Sequence, residues 1–484
     1  MNESGNDVWQ SRHEHHNQRD EYHDLMDVAR LAYIYGFPSY QMARMRFRAF
    51  KQPHARLNSL HHVRSLPTHT TGRVTTGNTD VLKSTAWLDL SREPFVIHVP
   101  GTADRYYSLT LVDFFANNFA VLGRRSSGLL AGNFLLAGPR WEGAAPAGMT
   151  VIRTPTNAVL AVVRILVYGP NDQAAVRALQ DQFTISRSGL PSANSPRSPH
   201  PLSSPVRPLH PKNLLTFFDV LNAVLTENPP PAGDKAILDR LETIGVGPSL
   251  RFNRGDFTQP QLNALRQGVA SARDAIQAHG SSRRRAARQE GPRHWPSDAL
   301  LAQLRGPVDG SRVRTRGAGR RGWSCAAARA GELDADYLRR ARHALRSIGG
   351  LSCEDAMYFF AATDALGDAL DGRNHYVMRF PPAGLPPVDA FWSLTASGAD
   401  KDNRRSLVPN ANNRYSLGNH TPGLRYGSHG SLEILIQHDR PKTNEENWLA
   451  APEGPFQLTL RAYLPRRELL DGGYAIPKVR PLSE

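Results

Sequence analysis

The sequence predicts a mainly β chain with α: two antiparallel β regions joined by a helical connector. Three patterns carry this. Short apolar segments separated by Gly/Pro turns run from Val74 to Arg153, the spacing of an antiparallel sandwich or barrel. Apolar stripes at helical spacing follow between Leu214 and Ile276. Strand-like alternation returns between His375 and Leu464.

The chain has 484 residues, enough for about two to four domains. Residues 1–20 are polar, rich in His and charge, and too poor in apolar residues to order themselves. A domain over 21–185 opens with a helix, Glu21 to Tyr35, with Leu25, Val28, Ala29 and Ala32 on one face. Gly36-Phe37-Pro38 is expected to stop it, with a second helical piece from Tyr40 to Phe50. His61, His62 and His69 fall in a polar loop without metal-ligand spacing.

The strands come next. Phe95, Ile97 and Val99 alternate with Val96 and His98 in a strand expected to be buried on both faces. Tyr107, Leu109, Leu111 and Asp113 share one face of the following strand. Pro170-Asn171 opens a helix for which Asn171 is the expected N-cap.

A Pro-rich linker spans 186–211 and a helical connector 212–350. In the connector, Asp234 and Thr258 are the expected caps of two helices. Within it, Ser281 to Arg321 holds eleven arginines against Glu290, Asp298 and Asp309. That local excess of eight is more than half the net charge of +15, so the rest of the chain is only mildly basic. The stretch has little to bury, and low order is expected there. A second β domain takes 351–484. In its last strand Phe456, Leu458, Leu460, Ala462 and Leu464 point one way, the pattern of a half-exposed strand.

Absences narrow the chemistry. There is no GxSxG elbow, P-loop, GxGxxG after a strand, or HExxH. Cys325 and Cys353 stand in neither a CxxC nor a C/H spacing. No metal and no cofactor is called for. The N-terminus carries no apolar leader and no apolar run approaches a membrane span, so a cytoplasmic protein without membrane contact is expected. Nucleic acid is not the expected partner, because no aromatic-interleaved basic strand accompanies the arginines.

The candidate site lies in Asn78 to Arg124. Asp80 and Asp113 are the best paired carboxylates for general acid–base work, against a structural reading as a turn residue and an arginine partner. Arg124, Arg153 and Arg164 are candidate clamps for a carboxylate or other anion. Arg164 sits in an apolar run, where an acid partner is expected. Asn78, Trp87, Tyr107, Trp392, Arg414 and Tyr415 complete the candidate lining of a small-molecule pocket.

Several ordered words resemble a known pair of families. Tyr33 to Pro38, Asn78-Thr79-Asp80, Ala86 to Leu90, Arg105 to Leu109 and Gly148 to Asn157 are similar to the domain-of-unknown-function family numbered 1254. Asp371 to Asn374, Tyr376 to Pro381, Leu385 to Leu394, Asn413 to Ser416 and Ser431 to Asp439 are similar to the partner family numbered 1214. The resemblance implies two jelly-roll-like antiparallel β domains and a homo-oligomer, and no settled activity. Lys83 replaces an aromatic usual in that family, and Thr110 a glutamine. Arg321-Gly322-Trp323 stands for an Asn-Gly-Trp word, and the Arg-rich run before it reads as an insertion or a frame-shifted segment.

The functional expectation is an enzyme acting on a small organic molecule by metal-free acid–base chemistry. The alternative is a non-catalytic, homo-oligomeric small-molecule-binding or scaffold protein.

Overall fold

A computed structural model describes residues 4–71, 77–190, 213–278, 323–325, 336–346, 348–399 and 405–482. The Arg-rich stretch 281–321 and most of the Pro-rich linker lie outside the described residues.

Among the described residues the first β unit has nine strands: β1 (His61–His62), β2 (Val81–Asp89), β3 (Phe95–Val99), β4 (Tyr107–Val112), β5 (Asn118–Gly123), β6 (Gly132–Ala137), β7 (Thr150–Arg153), β8 (Ala158–Leu166) and β9 (Thr184–Arg187). The second has β10 (Trp323–Cys325), β11 (Ala356–Ala361), β12 (Tyr376–Phe380), β13 (Trp392–Ala399), β14 (Arg405–Ser406), β15 (Ser416–Gly418), β16 (Leu432–Gln437), β17 (Trp448–Ala450), β18 (Phe456–Tyr463) and β19 (Val479–Pro481). Each unit is two sheets packed face to face. The orders are β1-β2-β8-β4-β5 over β7-β6-β3-β9, then β10-β11-β18-β13 over β17-β16-β12-β19, with β14 and β15 both on β13.

The two units are topological copies. Writing β10, β11, β12, β13, β15, β16, β17, β18 and β19 for β1 to β9 reproduces both sheet orders, with β14 the one addition. The parallel pair recurs at the same place, β6 with β7 and β16 with β17; every other paired strand is antiparallel. Individual hydrogen bonds repeat as well. Val167 N donates to Asp80 O and Leu464 N to Asp355 O; Leu166 N donates to Tyr106 O and Tyr463 N to Phe391 O.

β8 shows how the layers assemble. Its residues are buried on both faces. Val159, Ala161, Val163 and Ile165 enter the sandwich core. On the other face Ala158, Leu160 and Val162 lie under helices, and Leu166 packs against the second sandwich. Arg164 interrupts that second face between the two coverings.

The helical layer consists of α1 (Ser4–Phe50), α3 (Thr216–Glu227), α4 (Lys235–Glu242), α5 (Gln259–Gln277) and α6 (Tyr337–Arg346), with α2 (Gln173–Gln182) beside the first sandwich and the short α7 (Arg467–Leu470) in the second. Its core includes Leu31, Ile34, Phe217, Phe218, Leu221, Leu265 and Val269. Among the described residues no helix is long and apolar enough to cross a membrane.

Several local expectations are corrected. Residues 4–20 are helical rather than a disordered tail, and α1 runs through Gly36 and Pro38 without stopping. A helix-interior proline costs about 3 kcal/mol. Here the flanking turns are locked by burial of Ile34, Tyr35, Phe37 and Tyr40 and by the Tyr35 hydroxyl donating to Asp234. Asp234 therefore serves two tyrosines, Tyr35 and Tyr337, and not its own helix terminus. Asn171 is no cap: α2 begins at Gln173, and Asp172 takes Arg105 and the Tyr168 amide. Thr258 does cap α5, in a full capping box with Gln261. Val96 and His98 are only partly buried, because β3 has one open face. β18 is buried on both faces, since its second face meets the first sandwich. The second β unit also begins earlier than 351, with β10 drawn from within the connector.

Candidate functional site

The same ends of the two sandwiches meet. Val81, Tyr106 and Leu166 of the first pack with Ala356, Phe391 and Tyr463 of the second in one apolar cluster. The registers make these counterparts: Val81 pairs with Leu166 as Ala356 pairs with Tyr463, and Tyr107 with Ile165 as Trp392 with Ala462. Tyr106 and Phe391, themselves counterparts, are in edge contact at 5.4 Å between ring centroids. The junction is thus self-complementary, the arrangement of an isologous interface.

A polar row crosses each sandwich two residues in from this cluster, on the same strand faces. In the first it is Lys83, Arg164 and Ser108; in the second, Tyr358, Arg461 and Ser393. Arg164 Nη1 donates to Thr110 Oγ1 at 3.3 Å and Nη2 to the Gly349 carbonyl. Arg461 Nη1 donates to Thr395 Oγ1 at 2.5 Å and Nη2 to the Gly77 carbonyl at 3.2 Å. Arg164 therefore has a hydroxyl and a carbonyl where an acid partner was expected.

Asp80 is the carboxylate of the seam, 1% exposed. Its Oδ2 accepts from Ser393 Oγ at 2.6 Å and its Oδ1 from Ser416 Oγ at 2.9 Å. Ser416 in turn accepts from Thr79 Oγ1. His420 Nε2 faces Asp80 Oδ1 at 3.5 Å, and that imidazole side chain is only 7% exposed. Burial pushes the Asp80 carboxyl up, but His420, Arg461 and Ser393 outweigh it and hold the group at about 2. Among the described residues, the buried His420 Nδ1 has no hydrogen-bond partner. The ring stands edge-on to Phe391, which stacks on Tyr463 at 4.1 Å.

Lys83 is partly buried, and among the described residues no hydrogen bond or ion pair engages its ammonium group. Burial, then the Arg164 and Arg461 guanidinium groups, lower it to about 8. Such an amine exchanges its proton near neutral pH.

The predicted residues separate into two groups. Asp80, Asn78 and Arg164 are in the seam, Asn78 donating to the Tyr463 hydroxyl, and Tyr415 stands beside it with its hydroxyl 2.7 Å from His69 Nδ1. The others lie elsewhere. Asp113 is at the far end of β4, about 20 Å along the strand, so the two carboxylates are not brought together. Its oxygens accept from the Phe115 and Asn117 amides and the Asn117 side chain; burial raises it to about 6, against those bonds. Trp87 packs on Phe114 under the helices and Trp392 on Phe380 inside the second sandwich. The Tyr107 hydroxyl donates to the Gly128 carbonyl. Arg124 is exposed, Arg153 donates to the Trp141 carbonyl, and Arg414 to three carbonyls, of Glu445, Glu446 and Trp448.

Sequence reasoning missed His420, Ser393, Ser416, Thr395 and Arg461. A signal was present for two of them. Asp104-Arg105-Tyr106-Tyr107-Ser108-Leu109-Thr110 and Asp389-Ala390-Phe391-Trp392-Ser393-Leu394-Thr395 are one word written twice.

The comparisons agree with this division. The family model described as "Protein of unknown function (DUF1254)" matches residues 57–187, and "Protein of unknown function (DUF1214)" matches residues 355–467. No curated protein matches the chain. The crystal structure of the VPA0106 protein from Vibrio parahaemolyticus is similar at 24% identity, over 95% of this chain and 100% of that one, with a TM-score of 0.68; the two share a fold. An uncharacterized protein from Burkholderia cenocepacia is similar at 13% identity, over 96% of this chain and 89% of that one, with a TM-score of 0.41.

Proposed function

Because the chain joins an N-terminal DUF1254 domain to a C-terminal DUF1214 domain, and their copies meet in a polar seam, we propose that it is an enzyme moving a proton on a small organic anion there. One observation carries this reading. A buried carboxylate fixes one nitrogen of a buried imidazole whose other nitrogen has no partner, beside the cationic side chains Lys83, Arg164 and Arg461. Asp80 stays ionised at neutral pH and favours the tautomer with its proton on Nε2. Nδ1 then keeps a lone pair as a general base, with Asp80 as the orienting group. The cations hold the substrate anion and stabilise negative charge developing on it. Asp80 acts with His420, and Asp113 has no part.

The strand orders support the finer description of each sandwich as jelly-roll-like. In both, a long early strand neighbours a long late one, which in turn neighbours another early strand: β2-β8-β4 and β11-β18-β13.

A second reading, a binding or scaffold protein without chemistry, is favoured by the saturation of Asp80, which already accepts two serine hydroxyls. One experiment separates them. The full chain is incubated in D2O with a panel of small oxo- and hydroxy-carboxylates, and loss of carbon-bound protons is followed by NMR. The enzyme reading expects catalysed exchange of a panel member, slowed by about a hundredfold in His420→Gln. Saturable binding without exchange leaves the second reading; exchange unaffected by His420→Gln overturns the role of the imidazole.

A further inference from the structure

The helical layer contains a cavity of about 230 Å³ lined from α1, α5 and α6. That is room for about eight waters at ~30 Å³ each. Tyr33, Phe37, Tyr40 and Arg44 recur along one face of α1, and Arg273 and Ile276 face them from α5. Phe37, Ile276 and the rings of Tyr33 and Tyr40 are buried and supply an apolar body.

The polar atoms are cationic or neutral. Arg44 Nη1 donates to Gln41 Oε1 at 3.0 Å, which aims the guanidinium, while its Nε is buried with no hydrogen-bond partner. The Tyr40 ring flanks the guanidinium, 5.7 Å from its centroid. Among the described residues neither Arg44 nor Arg273 is paired with a carboxylate. Burial lowers Arg44 from its ordinary value, with Arg48 adding to it and Tyr40 and Tyr33 opposing. Burial first, then Tyr40, holds the Tyr33 hydroxyl up at about 12, which makes it a donor at any ordinary pH. The desolvation of the Arg44 guanidinium is a cost that an anion would relieve. The Arg44 and Arg273 guanidinium groups lining the cavity suit the planar, two-oxygen geometry of a carboxylate, and the ring-lined wall suits an apolar group behind it.

We propose that this cavity is a binding site for a small carboxylic acid with an aromatic or branched apolar body, its carboxylate held by Arg44 and Arg273 and its apolar part against Phe37 and Ile276. The site goes beyond the seam and does not depend on any chemistry there.

The test uses the full chain, with sodium benzoate as probe and benzyl alcohol and inorganic phosphate as controls, read by titration calorimetry. Benzoate is expected to bind saturably, with each control at least about tenfold weaker, a difference of ~1.4 kcal/mol. Arg44→Gln and Arg273→Gln, both checked for wild-type circular dichroism, are each expected to weaken benzoate about fivefold or more. If only one of them folds, that one decides. Three outcomes overturn the proposal: no saturable binding of benzoate, benzyl alcohol or phosphate binding as well as benzoate, or benzoate binding unchanged in the arginine variants. The last would also be the result if benzoate bound at the seam.

Discussion

Arg164 and Arg461 occupy the same position of the two sandwiches, and each spends its Nη1 on the threonine at the same position of the neighbouring strand, Thr110 or Thr395. A buried guanidinium deprived of an acceptor loses more than the net worth of one hydrogen bond, because the donor stays desolvated. Thr110→Val and Thr395→Val are nearly isosteric and remove only the hydroxyl. Each is expected to lower stability by about 1–3 kcal/mol, measured by urea unfolding. Values near zero for both would show that the guanidinium groups find other acceptors.

Lys83 carries the opposite expectation. Its amine is lowered to about 8 by burial and two nearby guanidinium groups, so the folded state releases a proton that the unfolded chain holds until about 10.4. Stability contributed by this group therefore rises with pH between about 8 and 10.4, and the penalty is fully present below 8. Lys83→Met keeps the stem and removes the charge. It is expected to stabilise the protein at pH 7 by about 1–3 kcal/mol and to flatten the slope between pH 8 and 10. A destabilised variant would mean that the ammonium is well partnered in solution. A stabilised protein with weaker substrate binding would mark Lys83 as retained for function.

Asp80 sets the acid limb. Its folded value of about 2 lies below the ordinary carboxylate value of about 3.9. The stability it contributes is present above pH 4 and lost as pH falls toward 2. Asp80→Asn still accepts at one oxygen but leaves His420 without its anion. At pH 7 it is expected to cost about 2–4 kcal/mol, and that cost should shrink between pH 4 and pH 2. A pH-independent difference would assign the loss to packing instead.

How much of this was written locally differs by element. The strands β3, β4 and β18 were legible from alternation and from turns, and the cap of α5 from Thr258. Which faces they bury was not, because the second faces of β8 and β18 are covered by partners remote in sequence: the helical layer for Leu160 and the second sandwich for Leu166. The same long range hid the site. Asp80 was legible as a candidate carboxylate, but Ser393, Ser416 and His420 reach it across more than three hundred residues, and only the doubled Ser-Leu-Thr word hints at that meeting. Asp113, which the strand pattern marked as a carboxylate a fold could bury, is buried, but at the opposite end of the strand and on local amides. Gly36-Phe37-Pro38 reads as a stop by propensity, and burial of the turns on either side overrides it.

The crossing of α1 and α5 supplies a last, purely steric prediction. Gly268 packs so closely on α1 that a methyl group there would stand 2.1 Å from the Met26 carbonyl oxygen and 2.9 Å from Ala29 Cβ. Neither can yield without moving a helix, because one is backbone and the other a short, buried side chain. Gly36 of α1 is equally crowded, but its nearest neighbours are the Leu221 methyl groups at 2.6 and 2.7 Å, which can rotate. Both substitutions to alanine gain about 1 kcal/mol of helix propensity. Gly268→Ala is nonetheless expected to destabilise by about 2 kcal/mol or more, as an overpacked core does, and Gly36→Ala by clearly less. Thermal unfolding of the two variants side by side checks the order. Since the cavity holding Arg44 and Arg273 lies between these same helices, Gly268→Ala is also expected to weaken benzoate binding, and Gly36→Ala to weaken it less. The reverse ranking would mean that α1 and α5 are not held together at Gly268.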